Sequence, residues 1–244
     1  MQNKFDKALS EALKYFKKKK NILGILVGGS YINGNLSKNS DIDIFIVMEN
    51  IKWREKGIKI FNGVEVEYFL QPYCQILKYF ERESESLKRT TISVFSSGKI
   101  LFDPQNKVKK LVQIAKKLSS KKLPKVPKAK VDLIKYFVED NLKDLSDAVE
   151  NEDFVLANLI INFLFYDILE NYFLIDRFPK PKSKYLLNGI KDENFKERVR
   201  TFLNSNSIET RTTSINELAE YFLKNYGGRL PKEHKFRLKT TYQM

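Results

Sequence analysis

Two aspartates separated by one residue, Asp41-Ile42-Asp43, carry the strongest chemical signal in the sequence. They open an apolar stretch that reads as a β-strand over residues 41–48. Side chains on a strand alternate between faces, so Asp41 and Asp43 project to one side while Ile42 and Ile44 turn to the core. Two carboxylates held this close repel each other unless a cation sits between them. Hard oxygen ligands in this arrangement suit Mg²⁺, which takes one or two carboxylates plus substrate phosphates. Upstream, Gly28, Gly29 and Ser30 follow a second apolar run, residues 22–27, the first strand of the chain. Glycines let backbone N–H groups approach a phosphate, and Ser30 adds a hydroxyl.

The elements that must hold these residues can be read along the chain. Residues 3–20 form an amphipathic helix, with Phe5, Leu9, Ala12, Leu13 and Phe16 at helical spacing and four lysines in its last turn. A short helix over residues 30–35 leads to the aspartate strand. A polar excursion containing Trp53 and Arg54 then precedes Gly63 and a third strand, residues 64–70, with Glu65 and Glu67 on one face. Both glutamates also fit the ordinary solvent-facing positions of an alternating strand. Helices over 72–83 and 87–97, a short strand at 99–102 and a helix ending near 118 complete the first half. Residues 119–130, SSKKLPKVPKAK, hold two prolines and five lysines and mark a domain boundary. Everything beyond reads as helical, with long segments over 131–150 and 153–175 and shorter ones over 194–203 and 216–225. Short connections predict an antiparallel bundle of four or five helices. The segment 153–175 is apolar nearly all round, so it is expected at the bundle's centre.

Bulk properties narrow the function. A chain of 244 residues with 42% hydrophobic and 13% aromatic content is folded, with room for one large or two modest domains. A single cysteine, Cys74, excludes a disulfide framework and a cysteine metal cluster. The charged N-terminal helix lacks the apolar core of a signal peptide. Asn158, Asn162 and Asp167 interrupt the longest apolar run, which falls short of the ~20 residues of a membrane span. The expectation is a soluble cytoplasmic protein with no membrane contact. The net charge of +14 is unevenly spread. Residues 1–116 carry 21 Lys/Arg against 12 Asp/Glu, residues 117–130 six against none, and residues 131–244 17 against 18. Such a surplus favours an anionic partner such as a nucleotide or RNA, although a Lys-rich composition alone yields the same sum.

Gly29-Ser30-Tyr31-Ile32-Asn33-Gly34, five residues, then Ser40-Asp41-Ile42-Asp43, resembles the signature of the DNA polymerase β-like nucleotidyltransferase superfamily, especially its minimal and antibiotic-modifying members. Asn33 departs from it, standing where many minimal members have Arg. That touches a phosphate contact and leaves the metal pair intact. The resemblance implies an α+β fold: a small mixed-sheet nucleotidyltransferase domain over residues 1–118, a basic linker over 119–130, and an all-α helical bundle over 131–244. It implies transfer of a nucleoside monophosphate, AMP from ATP, to an acceptor hydroxyl with release of pyrophosphate.

In this reading Asp41 and Asp43 hold two Mg²⁺ ions, and a third acid completes the catalytic set. Glu67 is preferred to Glu65 for that place because apolar residues flank it. Gly28, Gly29, Ser30 and Ser40 would line the nucleotide. Lys182 and Lys184 would reach the β- and γ-phosphates, since the helical domain of related two-domain enzymes closes over the nucleotide. The acceptor, an RNA, protein or small-molecule hydroxyl, is left open. A polycationic aminoglycoside fits a basic domain poorly. The rival reading is a non-catalytic nucleotidyltransferase fold that sequesters a partner, as an antitoxin does. Arg229 and His234, the latter the sole histidine, have the spacing of a helical ribonuclease pair, yet Gly227, Gly228 and Pro231 break the helix such chemistry needs.

Overall fold

The computed structural model describes residues 2–32, 34, 36–37, 39–49 and 51–237. The chain forms two compact units, residues 1–121 and 122–244, and the fold is α+β, as the sequence leads one to expect.

In the first unit, α1 (Gln2–Phe16) buries Phe5, Ala8, Leu9, Ala12 and Phe16 along one stripe. The strands are β1 (Ile22–Gly28), β2 (Ile42–Met48), β3 (Glu55–Phe61), β4 (Val64–Pro72) and β5 (Lys99–Phe102), laid out in the order β3-β4-β2-β1-β5. Strands β2 and β4 run parallel, and the other neighbouring pairs are antiparallel. The parallel register sets Ile42 opposite Val66 and Asp43 opposite Glu67. One face of the sheet packs on α1 through Ile25, Val27, Ile42, Ile44, Ile46, Val66 and Leu70. The other is covered by α2 (Tyr73–Glu83), α3 (Thr90–Ser97) and α4 (Lys107–Ser119), with Leu26, Val47, Phe80, Phe95 and Leu111 between.

Three local expectations need correction. The polar excursion after β2 is in fact β3, an edge strand joined to β4 by Asn62 and Gly63, both with positive φ (47° and 67°). That is the backbone of a tight hairpin turn, for which Asn-Gly is the favoured pair. The short helix placed at 30–35 is a single 3₁₀ turn, Gly29–Tyr31, while Asn33 and Asn35 lie outside the described residues. Asp41 precedes β2 rather than opening it.

Two buried charges brace this unit. The Glu83 carboxylate, 8% exposed, accepts from the backbone N–H groups of Thr91 and Ile92 and the Thr91 hydroxyl, at the start of α3. Arg89, 5% exposed, donates to the carbonyls of Ser84, Leu118 and Lys121, and burial pulls its pKa below the usual arginine value.

The second unit contains α5 (Lys128–Glu150), α6 (Phe154–Ile175), the short α7 (Leu186–Gly189), α8 (Glu193–Asn204) and α9 (Ile208–Asn225). Helix α9 begins well before the segment expected from the sequence, because Ser207 and Thr210 form a capping box. Aromatic stacks, Tyr172 on Phe195 and Phe165 on Phe202, each at 4.3 Å, join α6 to α8. Helix α6 packs on α5 and α9 as the middle element, but not with all sides covered. Val155, Leu159, Phe163 and Tyr166 stay more than half exposed. The polar interruptions do not shorten this helix, so by length and composition it could cross a bilayer, although a third of that stretch is buried inside the fold. At the unit's start the Leu123 N–H donates to the Arg177 carbonyl, and Arg177 Nε donates back to the Leu123 carbonyl.

Candidate active site

Strand geometry assembles the acids. Residue i of β2 lies beside its partner on β4, and partners in a sheet share a face. Asp43 therefore stands between Gly28 of β1 and Glu67 of β4. Along that face of β2, Val47 is buried beneath the helices, Phe45 is half-buried against Phe69 at 4.7 Å, and Asp43 lies towards the open end. Asp41 sits one residue before the strand. The carboxylates of Asp41, Asp43 and Glu67 each offer an oxygen, and the three oxygens lie within 4.8 Å of one another. None of the three residues is buried. An all-oxygen, all-anionic donor set of this size fits a hard divalent cation, so these residues could hold a metal ion.

The glycine turn is built against the same carboxylate. Gly29 has φ +72°, and a Cβ placed there would lie 2.1 Å from Asp43 Oδ2. No side chain fits between turn and acid, and the left-handed backbone independently favours glycine. The turn is anchored by Tyr31, whose hydroxyl donates to Asp6 Oδ1 of α1 at 2.6 Å. Burial, followed by that hydrogen bond, pushes the Tyr31 phenol up to about 12. The Ser30 hydroxyl makes no hydrogen bond among the described residues. Ser40 acts within its own loop. Its Oγ accepts from the Ser37 N–H at 2.7 Å, and it lines a cavity of about 510 Å³ with Lys4, Asn39 and Glu65.

Glu67 belongs to the cluster; Glu65, one strand repeat away, is exposed and pairs across the hairpin with Ile60. Lys56 is a site residue that the sequence alone does not single out. From β3 its Nζ reaches Glu67 Oε1 at 2.8 Å and lies 5.3 Å over the Phe69 ring. The hydrogen bond and charge of Glu67, with a smaller contribution from Asp43, raise the Lys56 pKa. The signal that could have found it is the Asn62-Gly63 hairpin, which places an alternating strand alongside β4.

Lys182 and Lys184 stand in the second unit, exposed, in and beside the 3₁₀ turn Ser183–Tyr185. Lys184 lies over the Tyr185 ring at 5.1 Å. Asp41, Asp43, Glu67 and the Gly28–Ser30 turn come together in the first unit, and the two lysines belong to the second. Arg229 pairs with Glu220 and His234 with the Pro231 carbonyl, in a non-helical stretch.

The family model of the nucleotidyltransferase domain matches residues 9–176, well over half the chain, and the chain belongs to that family. No curated protein matches it. Among solved structures it is similar to a nucleotidyltransferase-like protein from Exiguobacterium sibiricum. The likeness has 11% identity and a TM-score of 0.48, over 91% of this chain and 75% of that one.

Proposed function

We propose that the protein is a metal-dependent nucleotidyltransferase that moves a nucleoside monophosphate, AMP from ATP, to an acceptor hydroxyl and releases pyrophosphate. The observation that carries this reading is the Asp41–Asp43–Glu67 cluster set against the Gly28–Ser30 turn. Asp41, Asp43 and Glu67 would hold two Mg²⁺ ions, which when bound supply charge neutralisation on the triphosphate and a lowered pKa for the attacking hydroxyl.

The remaining work falls to the chain itself. Gly28 and Gly29 present backbone N–H groups to the phosphates, where pre-placed donors need no reorganisation as charge builds on the leaving group. Ser30 adds a hydroxyl donor, and Ser40 fixes the loop that leads into Asp41. Glu67 either completes the metal shell or accepts the proton of the acceptor hydroxyl. Lys56, paired with Glu67 from the neighbouring strand, competes with a cation for that carboxylate. Lys182 and Lys184, exposed and without an ion pair among the described residues, are assigned to the β- and γ-phosphates.

The test is incubation with α-labelled ATP, Mg²⁺ and a panel of RNA, protein and small hydroxylated acceptors. Label should appear on one acceptor class with wild-type protein and on none with Asp41→Asn/Asp43→Asn. Transfer that survives the double substitution would remove the assignment.

A further inference from the structure

The second unit holds a cavity of about 1010 Å³ between the start of α5 and the segment that follows α9. It is at the upper end of the range for small-molecule sites. Lys125 and Lys128 line it from the approach to α5, Lys135 from two turns further along, and Lys235 from the C-terminal segment. The acids in its lining are Asp132 and Glu233. Arg177 and Arg229 also face it, but both serve the architecture: Arg177 donates to Leu123, and Arg229 pairs with Glu220 and Glu139.

The four lysines are in a different position. Lys125, Lys128 and Lys235 are exposed and make no ion pair among the described residues. Lys135 is 6% exposed, and its one acidic partner among the described residues is Asp132 at 3.9 Å. An ammonium taken out of water with so loose a partner is costly, and an anion in the cavity would offset that cost. Beside the lysines, His234 and Phe236 line the cavity with rings 17° from parallel and centroids 6.1 Å apart. Tyr136 backs both, at 5.9 and 6.2 Å. Spread cations with aromatic faces among them are what single strands require, phosphates on one and bases on the other.

We propose that this cavity binds single-stranded nucleic acid, with Lys125, Lys128, Lys135 and Lys235 taking phosphates and the His234–Phe236 pair stacking a base. The binding does not depend on the transfer reaction.

Fluorescence anisotropy of a labelled single-stranded RNA decamer, titrated with the full-length chain between ~50 and ~200 mM salt, tests this. Four phosphate contacts predict a slope of log K against log salt of about −3, from roughly −0.7 per contact on a single strand. Lys128→Ala with Lys235→Ala, both exposed and safe for the fold, should weaken binding and flatten the slope by about 1.4. Phe236→Ala should weaken binding about fivefold or more and leave the slope unchanged. Lys135→Met, checked by a melt for folding, should also flatten it. A double variant that binds with wild-type affinity and slope would place the strand elsewhere and overturn the proposal. So would equal binding of a duplex, or displacement of the strand by ATP at matched phosphate concentration.

Discussion

The two units handle charge in opposite ways. The first gathers three carboxylates whose places are set by backbone register: Asp43 is where it is because β2 pairs with β1 on one side and β4 on the other. The second gathers lysines around a cavity whose walls come from a helix start and a non-helical segment some hundred residues later. A sheet positions side chains by hydrogen-bond ladders that tolerate little error, so an anionic cluster can be maintained there despite its self-repulsion. A cavity closed by a docked segment is positioned by a few side-chain contacts, such as the Leu230 N–H on Glu139 at 2.7 Å. Metal chemistry needs the first kind of accuracy, whereas phosphate binding by long flexible lysines accepts the second.

The largest effect that would test this contrast is loss of the aspartate pair. Asp41→Asn with Asp43→Asn should cut nucleotidyl transfer by roughly 10³-fold or more, several kcal/mol of transition-state charge stabilisation. Without metal the variant should melt no lower than wild type, because like charges leave a shared site. Mg-ATP should raise the wild-type Tm alone. If the variant unfolds earlier without metal, the acids are structural and the contrast fails.

Gly29→Ala comes next. It forces an L-residue into a left-handed φ and a Cβ onto Asp43 Oδ2. We expect about 10²-fold lower transfer and a stability loss of about 1–2 kcal/mol from the backbone alone. Unchanged single-turnover rates would show that the turn does not set the acid's position.

Register also separates the glutamates. Glu67→Gln should slow transfer by ~10²-fold at saturating Mg²⁺, and Glu65→Gln should leave it within about twofold, since exposed sites away from special features change little. The reverse pattern would move the third acid by one strand repeat. Lys56→Met should act on metal affinity rather than on rate. With its ammonium gone, Glu67 is freer for a cation, and apparent Mg²⁺ affinity should tighten a few-fold, the modest scale of an exposed pair. Weaker Mg²⁺ binding, measured by titration calorimetry, would mean that Lys56 orients Glu67 rather than competes for it.

Legibility in the sequence followed the same division. Asp41 and Asp43 stand out because two-residue alternation and glycine punctuation are local properties. Glu67 is reached only through the family resemblance and its apolar flanks, and the parallel pairing of β2 with β4 that sets it opposite Asp43 is a long-range property no local pattern announces. Lys56 is hidden although Asn62-Gly63 announces the hairpin: the strand on its far side, EKGIKIF, has the alternation but too little apolar character to stand out. The basic cavity was legible only as a lysine-rich stretch. Nothing local tells residues 125–135 that His234 and Phe236 will return to them. Helix α6 shows the converse failure. Its uniform apolarity predicts burial on every side, while the bundle has neighbours for only part of its circumference.

The two arginine clamps bear on how this chain can be taken apart. Arg89 closes on the carbonyl of Lys121, and Arg177 closes on Leu123. Each unit therefore keeps its own latch, and the point between the latches is Lys122. A shuffling event or a cloned fragment that cuts there leaves both latches whole, whereas one that stops at Leu118, where the helix pattern ends, strips a carbonyl from a guanidinium that water scarcely reaches. A fragment of residues 1–121 should outlast one of residues 1–118 in a urea melt by about 1–3 kcal/mol, the cost of leaving a buried charged donor unmet. The three residues that look like spare linker are, by this measure, the fastening of the first unit.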